Sequence, residues 1–148
     1  MITVNAVSSR QPHARASPGG EPIAVIGLAC RLPGAYSADA YWRLLSNGVD
    51  AIREIPPERW DVNRYHSADP AAEGKMITRC GGFLDGLDEF DNDFFGISAK
   101  EASRLDPLQR LMLEISWEAF EDAGLAPEKL SGSRTGVFVG STGSEYDW

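Results

Sequence analysis

The run from Phe94 to Gly124, FFGISAKEASRLDPLQRLMLEISWEAFEDAG, restricts the possible folds more than any other part of the chain. It predicts two helices in series. Ser98 is placed to cap the first, with Glu101 three residues on to complete a capping box. Pro107 disfavours helical geometry at Asp106 and ends that helix early. Asp106 then caps a second helix, with Pro107 at its first position and Gln109 completing a second box. Gly124 is the expected stop, because glycine takes the left-handed C′ conformation without a Cβ clash.

In the second helix Leu108, Leu111, Met112, Ile115 and Ala119 follow helical spacing, and Leu113, Trp117 and Phe120 add a second apolar row. Only Arg110, Glu114, Glu118 and Glu121 leave a polar strip. A helix apolar over most of its circumference belongs between layers, with a sheet on one side and more protein on the other. Glu118, Glu121 and Asp122 crowd its C-terminal end, where the helix dipole disfavours negative charge by about 0.3–1 kcal/mol each. A basic neighbour is expected to offset them.

Before this run, residues 23–30 are an unbroken apolar stretch of the kind found in central strands covered on both faces. Arg31-Leu32-Pro33-Gly34 is a turn. Residues 39–46 form a short amphipathic helix, with Ser37 as a plausible cap and Asn47-Gly48 as its end. Residues 49–75 are irregular, with Trp60 and Tyr65 as expected anchors, and the stretch around Gly81-Gly82-Phe83-Leu84 reads as a short strand or hairpin arm. After Gly124, residues 134–140 read as a second buried strand. The order strand, helix, long excursion, helices, strand is that of an α/β arrangement, with parallel strands expected.

Residues 1–20 contain Ser, Ala, Arg, Pro and Gly without periodicity and are expected to be a disordered lead-in or linker. They hold two of the 14 basic residues and no acid, which leaves 12 basic against 22 acidic residues in the remainder. That balance argues against nucleic acid as a partner. No apolar run is long enough to span a membrane, and the N-terminus lacks the apolar region of a signal peptide. The expected location is therefore the cytoplasm, where Cys30 and Cys80 would be thiols.

Several short patterns resolve into structural readings. Val25-Ile26-Gly27-Leu28-Ala29 begins like a dinucleotide-binding turn, but Ala29 stands at the second glycine position and Pro33 blocks the helix that would hold the pyrophosphate. No Walker lysine is present. Asp85, Asp88, Glu89, Asp91 and Asp93 lack the glycine and terminal glutamate of a calcium loop, since Phe94-Phe95 stands where the glycine belongs. Cys30 and Cys80 read as small buried hydrophobes, because activating a thiol needs a base or an electropositive site. Asp106-Pro107 is explained by capping.

Taken in order, EPIAVIGLACRLPGA, DAYWRLLSNGVDAI, IPPERWDVNRYH, GK…GGFLD, FDNDFFGIS, the DP.QR helix and TGVFVG resemble the N-terminal half of beta-ketoacyl synthase domains of modular polyketide synthases. The resemblance covers residues 21–148. Ala99, Leu108, Cys80 and His66 depart from the family's usual residues. It implies a partial thiolase-like fold, the N-terminal portion of a layered αβαβα condensing-enzyme domain. It also implies an acyltransferase activity. In such domains a cysteine takes an acyl chain from acyl carrier protein, and two histidines assist decarboxylation of a malonyl-type extender before Claisen condensation.

All three of those residues belong to motifs after TGVFVG, so the chain is expected to be truncated before the nucleophile and inactive alone. No catalytic residue and no metal ligand is assigned to it. Thr142, Gly143 and Ser144 follow the last strand and would adjoin the acyl pocket by resemblance, an ordinary Gly/Ser loop being the other reading. No cofactor is expected in the chain, phosphopantetheine thioesters of acyl carrier protein being substrates of the full domain. The expected partners are acyl carrier protein, the rest of the ketosynthase domain and, when complete, a second copy. The alternatives are a portion of a non-catalytic or decarboxylating ketosynthase-like domain, or a short interaction protein.

Overall fold

A computed structural model describes residues 2–6 and 23–141. It contains strands β1 (Ile2–Ala6) and β2 (Ala24–Ala29), helix α1 (Ala38–Ser46), strand β3 (Arg53–Glu54), helix α2 (Val62–Tyr65), strand β4 (Cys80–Gly81), helices α3 (Ala99–Ala102) and α4 (Pro107–Asp122), and a 3-10 turn at Pro127–Leu130. The chain divides into two compact units, one of residues 1–30 with 87–148 and one of residues 31–86.

In the first unit, α4 lies against β2. Its N-cap is Asp106, whose carboxylate accepts from the Leu108 N–H at 2.7 Å, with Pro107 in the first turn. Its end is a Schellman motif. Gly124 has φ +63°, its N–H donates to the Glu121 carbonyl, and the Leu125 N–H donates to the Phe120 carbonyl, both at 2.9 Å. α3 is a single turn capped by Ser98 Oγ, which accepts from the Glu101 N–H at 3.2 Å. The local punctuation therefore falls where the sequence predicts it.

The core of this unit is small. Ala29, Ile115 and Ala119 are buried together, with Leu111 packed against them. Gly27 makes the approach possible. A Cβ there would stand 2.2 Å from the Ala119 carbonyl oxygen and 2.8 Å from Ala123 Cβ, so only glycine lets the helix backbone meet the strand backbone. Phe90, Phe95, Phe94 and Trp117 form a chain of rings. Phe90 and Phe95 are stacked at 5.3 Å, and Phe94 meets Phe95 and Trp117 edge-on at 4.9 and 4.8 Å.

Four sequence expectations are corrected here. First, β2 is not a central strand among the described residues. It pairs only with β1, antiparallel, and Ile23 and Val25 are 66% and 60% exposed. Second, β1 is a strand where composition predicts no regular structure. Its register runs from Ile2 opposite Ala29 to Ala6 opposite Ala24, with a shift between Val4 and Asn5. Third, residues 134–140 take no strand pairing among the described residues, and Val137 and Phe138 are 85% and 96% exposed. A strand exists only through a neighbour's N–H and C=O groups, and no described segment pairs with this one. Fourth, only Ile115 and Ala119 of α4 are buried, while Leu108 and Leu113 are exposed. The apolar circumference is real, but the described residues cover only part of it.

In the second unit, Leu32 and Ala35 exchange two 2.9 Å backbone hydrogen bonds across the expected turn. Ser37 caps α1 by accepting from the Ala40 N–H, and Asn47 and Gly48 end it. β3 and β4 pair antiparallel, which places the expected hairpin arm at Cys80–Gly81. The long irregular segment is held by arginines rather than by the aromatic anchors expected, since Trp60 and Tyr65 stay 38% and 40% exposed. Arg53 pairs with Asp85, Arg79 with Glu54, and Arg59 donates to the Leu84 carbonyl at 2.7 Å. Guanidinium groups span a wide loop with several directed donors at once, which an indole or phenol ring cannot do.

Candidate functional site

The residues that chemistry would need are placed as follows. Cys30 follows β2 and is 1% exposed, so a reagent or substrate has no route to its sulfur in this arrangement. Cys80, expected to be buried, is instead exposed on the two-residue strand β4, and both cysteines are free thiols. Its neighbour Arg79 is committed, donating to Glu54 and, at 3.4 Å, to Asn63. His66 follows α2 and is tied by its backbone, its N–H donating to the Val62 carbonyl at 2.8 Å. His13 lies outside the described residues.

Three of the acidic residues between 85 and 93, Asp85, Asp91 and Asp93, serve as local braces. In the second unit Asp85 receives Arg53, and the Tyr36 hydroxyl both donates to its carboxylate at 3.4 Å and accepts from its N–H at 3.1 Å. In the first unit Asp91 accepts from the Phe94 N–H at 3.0 Å, and Asp93 accepts from the Asn92 side-chain amide at 2.9 Å. Asn92 also donates from that amide to the Ile97 carbonyl at 2.9 Å, which fixes the loop entering α3. Among the described residues, no three His, Cys, Asp or Glu side chains form a group able to hold a metal ion. No described helix is long and apolar enough to cross a membrane.

The acids at the end of α4 are partly satisfied by N–H donors. Asp122 accepts from the Leu28 backbone N–H and Glu121 from the Trp117 indole N–H, both at 2.9 Å. The sequence does not announce one concavity, a shallow depression lined by Ser98, Lys100, Glu101, Arg104 and Leu105. Its legible signal is the pair of cations four residues apart, Lys100 and Arg104. The depression is open to solvent, and its Ser98 hydroxyl and Glu101 N–H are already joined as the cap of α3.

Thr142, Gly143 and Ser144, the residues expected to adjoin an acyl pocket, lie outside the described residues. The segment leading to them, with Val139 59% exposed and Phe138 almost fully so, presents an apolar surface rather than an enclosed site. The arrangement contains scaffold elements, helix caps and one close helix–strand contact. Among the described residues it does not bring a nucleophile and a base together.

Comparison with known proteins matches residues 20–148 to the family described as beta-ketoacyl synthase, N-terminal domain. The chain is 53% identical over 129 residues to the pikromycin polyketide synthase component PikAII of Streptomyces venezuelae, covering 86% of this chain and 4% of that protein. It is 49% identical over 132 residues to the phthioceranic/hydroxyphthioceranic acid synthase of Mycobacterium tuberculosis, covering 88% of this chain and 6% of that protein. Among solved structures, an oxazolomycin ketosynthase domain of Streptomyces albus JA3453 superposes with a TM-score of 0.69 at 40% identity, over 72% of this chain and 19% of that one. The ketosynthase from module 6 of the bacillaene synthase of Bacillus subtilis 168 does so with a TM-score of 0.62 at 39% identity, over 71% and 17%. The chain thus spans a small fraction of the relatives it matches.

Proposed function

Since the chain belongs to the beta-ketoacyl synthase N-terminal domain family, of the modular polyketide synthase type, we propose that it is the scaffold portion of a polyketide synthase ketosynthase. The complete domain would transfer an acyl group from an acyl carrier protein thioester to a cysteine. It would then lose carbon dioxide from a malonyl-type thioester, and the resulting enolate carbon would attack the acyl carbonyl and release the cysteine. The cysteine and the two histidines for this would come from parts of the domain beyond these 148 residues, so the chain by itself would be inactive. Its own share would be β2, α4 and the Gly27–Ala119 contact that sets their spacing, in a thiolase-like layered fold. Thr142, Gly143 and Ser144 would border the acyl pocket. The complete domain would work in the cytoplasm as a homodimer with acyl carrier protein as partner, and without a bound cofactor.

The observation that carries this reading is the match over residues 20–148, with the apolar surfaces on α4 and at residues 137–139 in support. The test is a chimera in which this chain replaces the equivalent part of the pikromycin ketosynthase. Acylation of the chimera's cysteine and formation of a β-ketoacyl thioester are the expected results, with neither reaction catalysed by the chain alone. A chimera that is soluble and dimeric yet neither acylated nor decarboxylating would overturn the proposal.

A further inference from the structure

Arg110 belongs to the polar strip of α4, where a guanidinium is expected to stand in water. In the structure its Nε is sealed from solvent and has no hydrogen-bond partner, although the residue as a whole is only half-buried. Among the described residues no other buried side-chain nitrogen or oxygen lacks a partner. The contrast with the second unit is direct, since Arg53, Arg59 and Arg79 each reach a carboxylate or a carbonyl. Asp106 and Glu114 stand four residues before and after Arg110 on the same helix, and neither takes its Nε–H. We propose that Arg110 is a docking arginine: its guanidinium pairs with a carboxylate presented by the part of the ketosynthase that lies outside these 148 residues.

Three physical arguments support this. A sealed donor without an acceptor has given up its hydrogen bond to water and received nothing in return, so the position is unfavourable until an acceptor arrives. A guanidinium keeps its charge, and charges withdrawn from water are paired, which selects a carboxylate over a neutral carbonyl. Its planar fork also matches the two carboxylate oxygens. The surroundings fit an interface. Leu113, three residues on and so on the same side of the helix, is 38% exposed, and an apolar neighbour covered by another segment would strengthen an ion pair beside it. The chain spans 19% of the oxazolomycin ketosynthase domain it superposes on, so most of what could cover α4 is supplied from elsewhere. The proposal rests on the ketosynthase reading for the source of the carboxylate.

The test places one substitution in two contexts, where its effect should change sign. Arg110→Met keeps a long side chain and removes the unpaired donor. In the chain alone, the amides of α4 should exchange about five- to tenfold more slowly than in the parent, because the weak attraction of Arg110 to Asp106 and Glu114 is small beside an orphaned donor. In the pikromycin chimera the same substitution should shorten the half-life to thermal inactivation by about tenfold or more, because it strands the opposing carboxylate. Arg110→Gln retains an N–H donor without the charge, and in the chimera it should be as damaging as Arg110→Met. Exchange in the Arg110→Met chain as fast as in the parent, or faster, would overturn the proposal. So would an Arg110→Met or Arg110→Gln chimera as long-lived as its own parent. A parent chimera that is never acylated counts against the ketosynthase reading, whereas an Arg110→Met effect of the same sign in both contexts counts against this one.

Discussion

The carboxylate of Asp122, the last residue of α4, accepts the backbone N–H of Leu28 in β2 at 2.9 Å, across 94 positions of sequence. An acid at a helix C-terminus opposes the dipole, but here it gives a strand N–H a charged acceptor. Two effects of opposite sign therefore meet in one side chain, and substitutions separate them. Asp122→Asn keeps an acceptor oxygen and removes the charge, so relief of the dipole conflict is offset by a weaker, neutral hydrogen bond and stability should stay within about 1 kcal/mol of the parent. Asp122→Ala loses the hydrogen bond as well, about 0.5–1.5 kcal/mol, and should fall below Asp122→Asn. The Leu28 amide exchange rate reports the difference directly, and equal rates in the two variants would show that the bond contributes nothing.

Gly27 marks the closest approach of α4 to β2. Gly27→Ala would drive a methyl group toward the Ala119 carbonyl oxygen, a backbone atom that cannot rotate away. The expected cost is about 1–3 kcal/mol, the range for overpacking a tight contact. Faster thermolysin cleavage within residues 107–122 should accompany it. Gly124→Ala is strained for a different reason, its φ of +63°, and should cost about 1 kcal/mol while leaving the β2 contact in place. A Gly27→Ala chain as resistant as the parent would mean that the helix and strand do not meet in solution.

The N-caps of α3 and α4 are single side-chain acceptors, Ser98 and Asp106. Replacing either by alanine should cost about 1 kcal/mol. The spectroscopic outcomes differ with helix length. Asp106→Ala should lower the helical ellipticity measurably, because α4 spans 16 residues, whereas Ser98→Ala affects a single turn and should barely register. The reverse order would contradict the assignment of α4 as the principal helix.

Phe138 is 96% exposed and Val137 85%. Phe138→Lys should therefore change stability by no more than about 0.5 kcal/mol, while reducing concentration-dependent light scattering. The chain is also expected to bind a hydrophobic dye and to melt over a broad range, since the core buried among the described residues is small for its apolar content. A sharp, cooperative melt of a monomer, with Phe138→Lys markedly destabilising, would show that this segment is buried after all.

Local structure is legible where a few residues decide it. Ser37, Ser98, Asp106 and Gly124 act at the helix ends the sequence assigns to them, because capping depends on side chains within three residues of the backbone groups they satisfy. Apolar patterning likewise locates α4 and the segment that forms β2. Which surfaces find partners is a different matter. That β2 pairs with Ile2–Ala6, that Val137 and Phe138 face solvent, and that Asp122 reaches Leu28 all depend on segments far apart in the chain, or on contacts the described residues do not supply. A strand-forming sequence states that a segment can pair, and only tertiary structure supplies the neighbour that makes it do so.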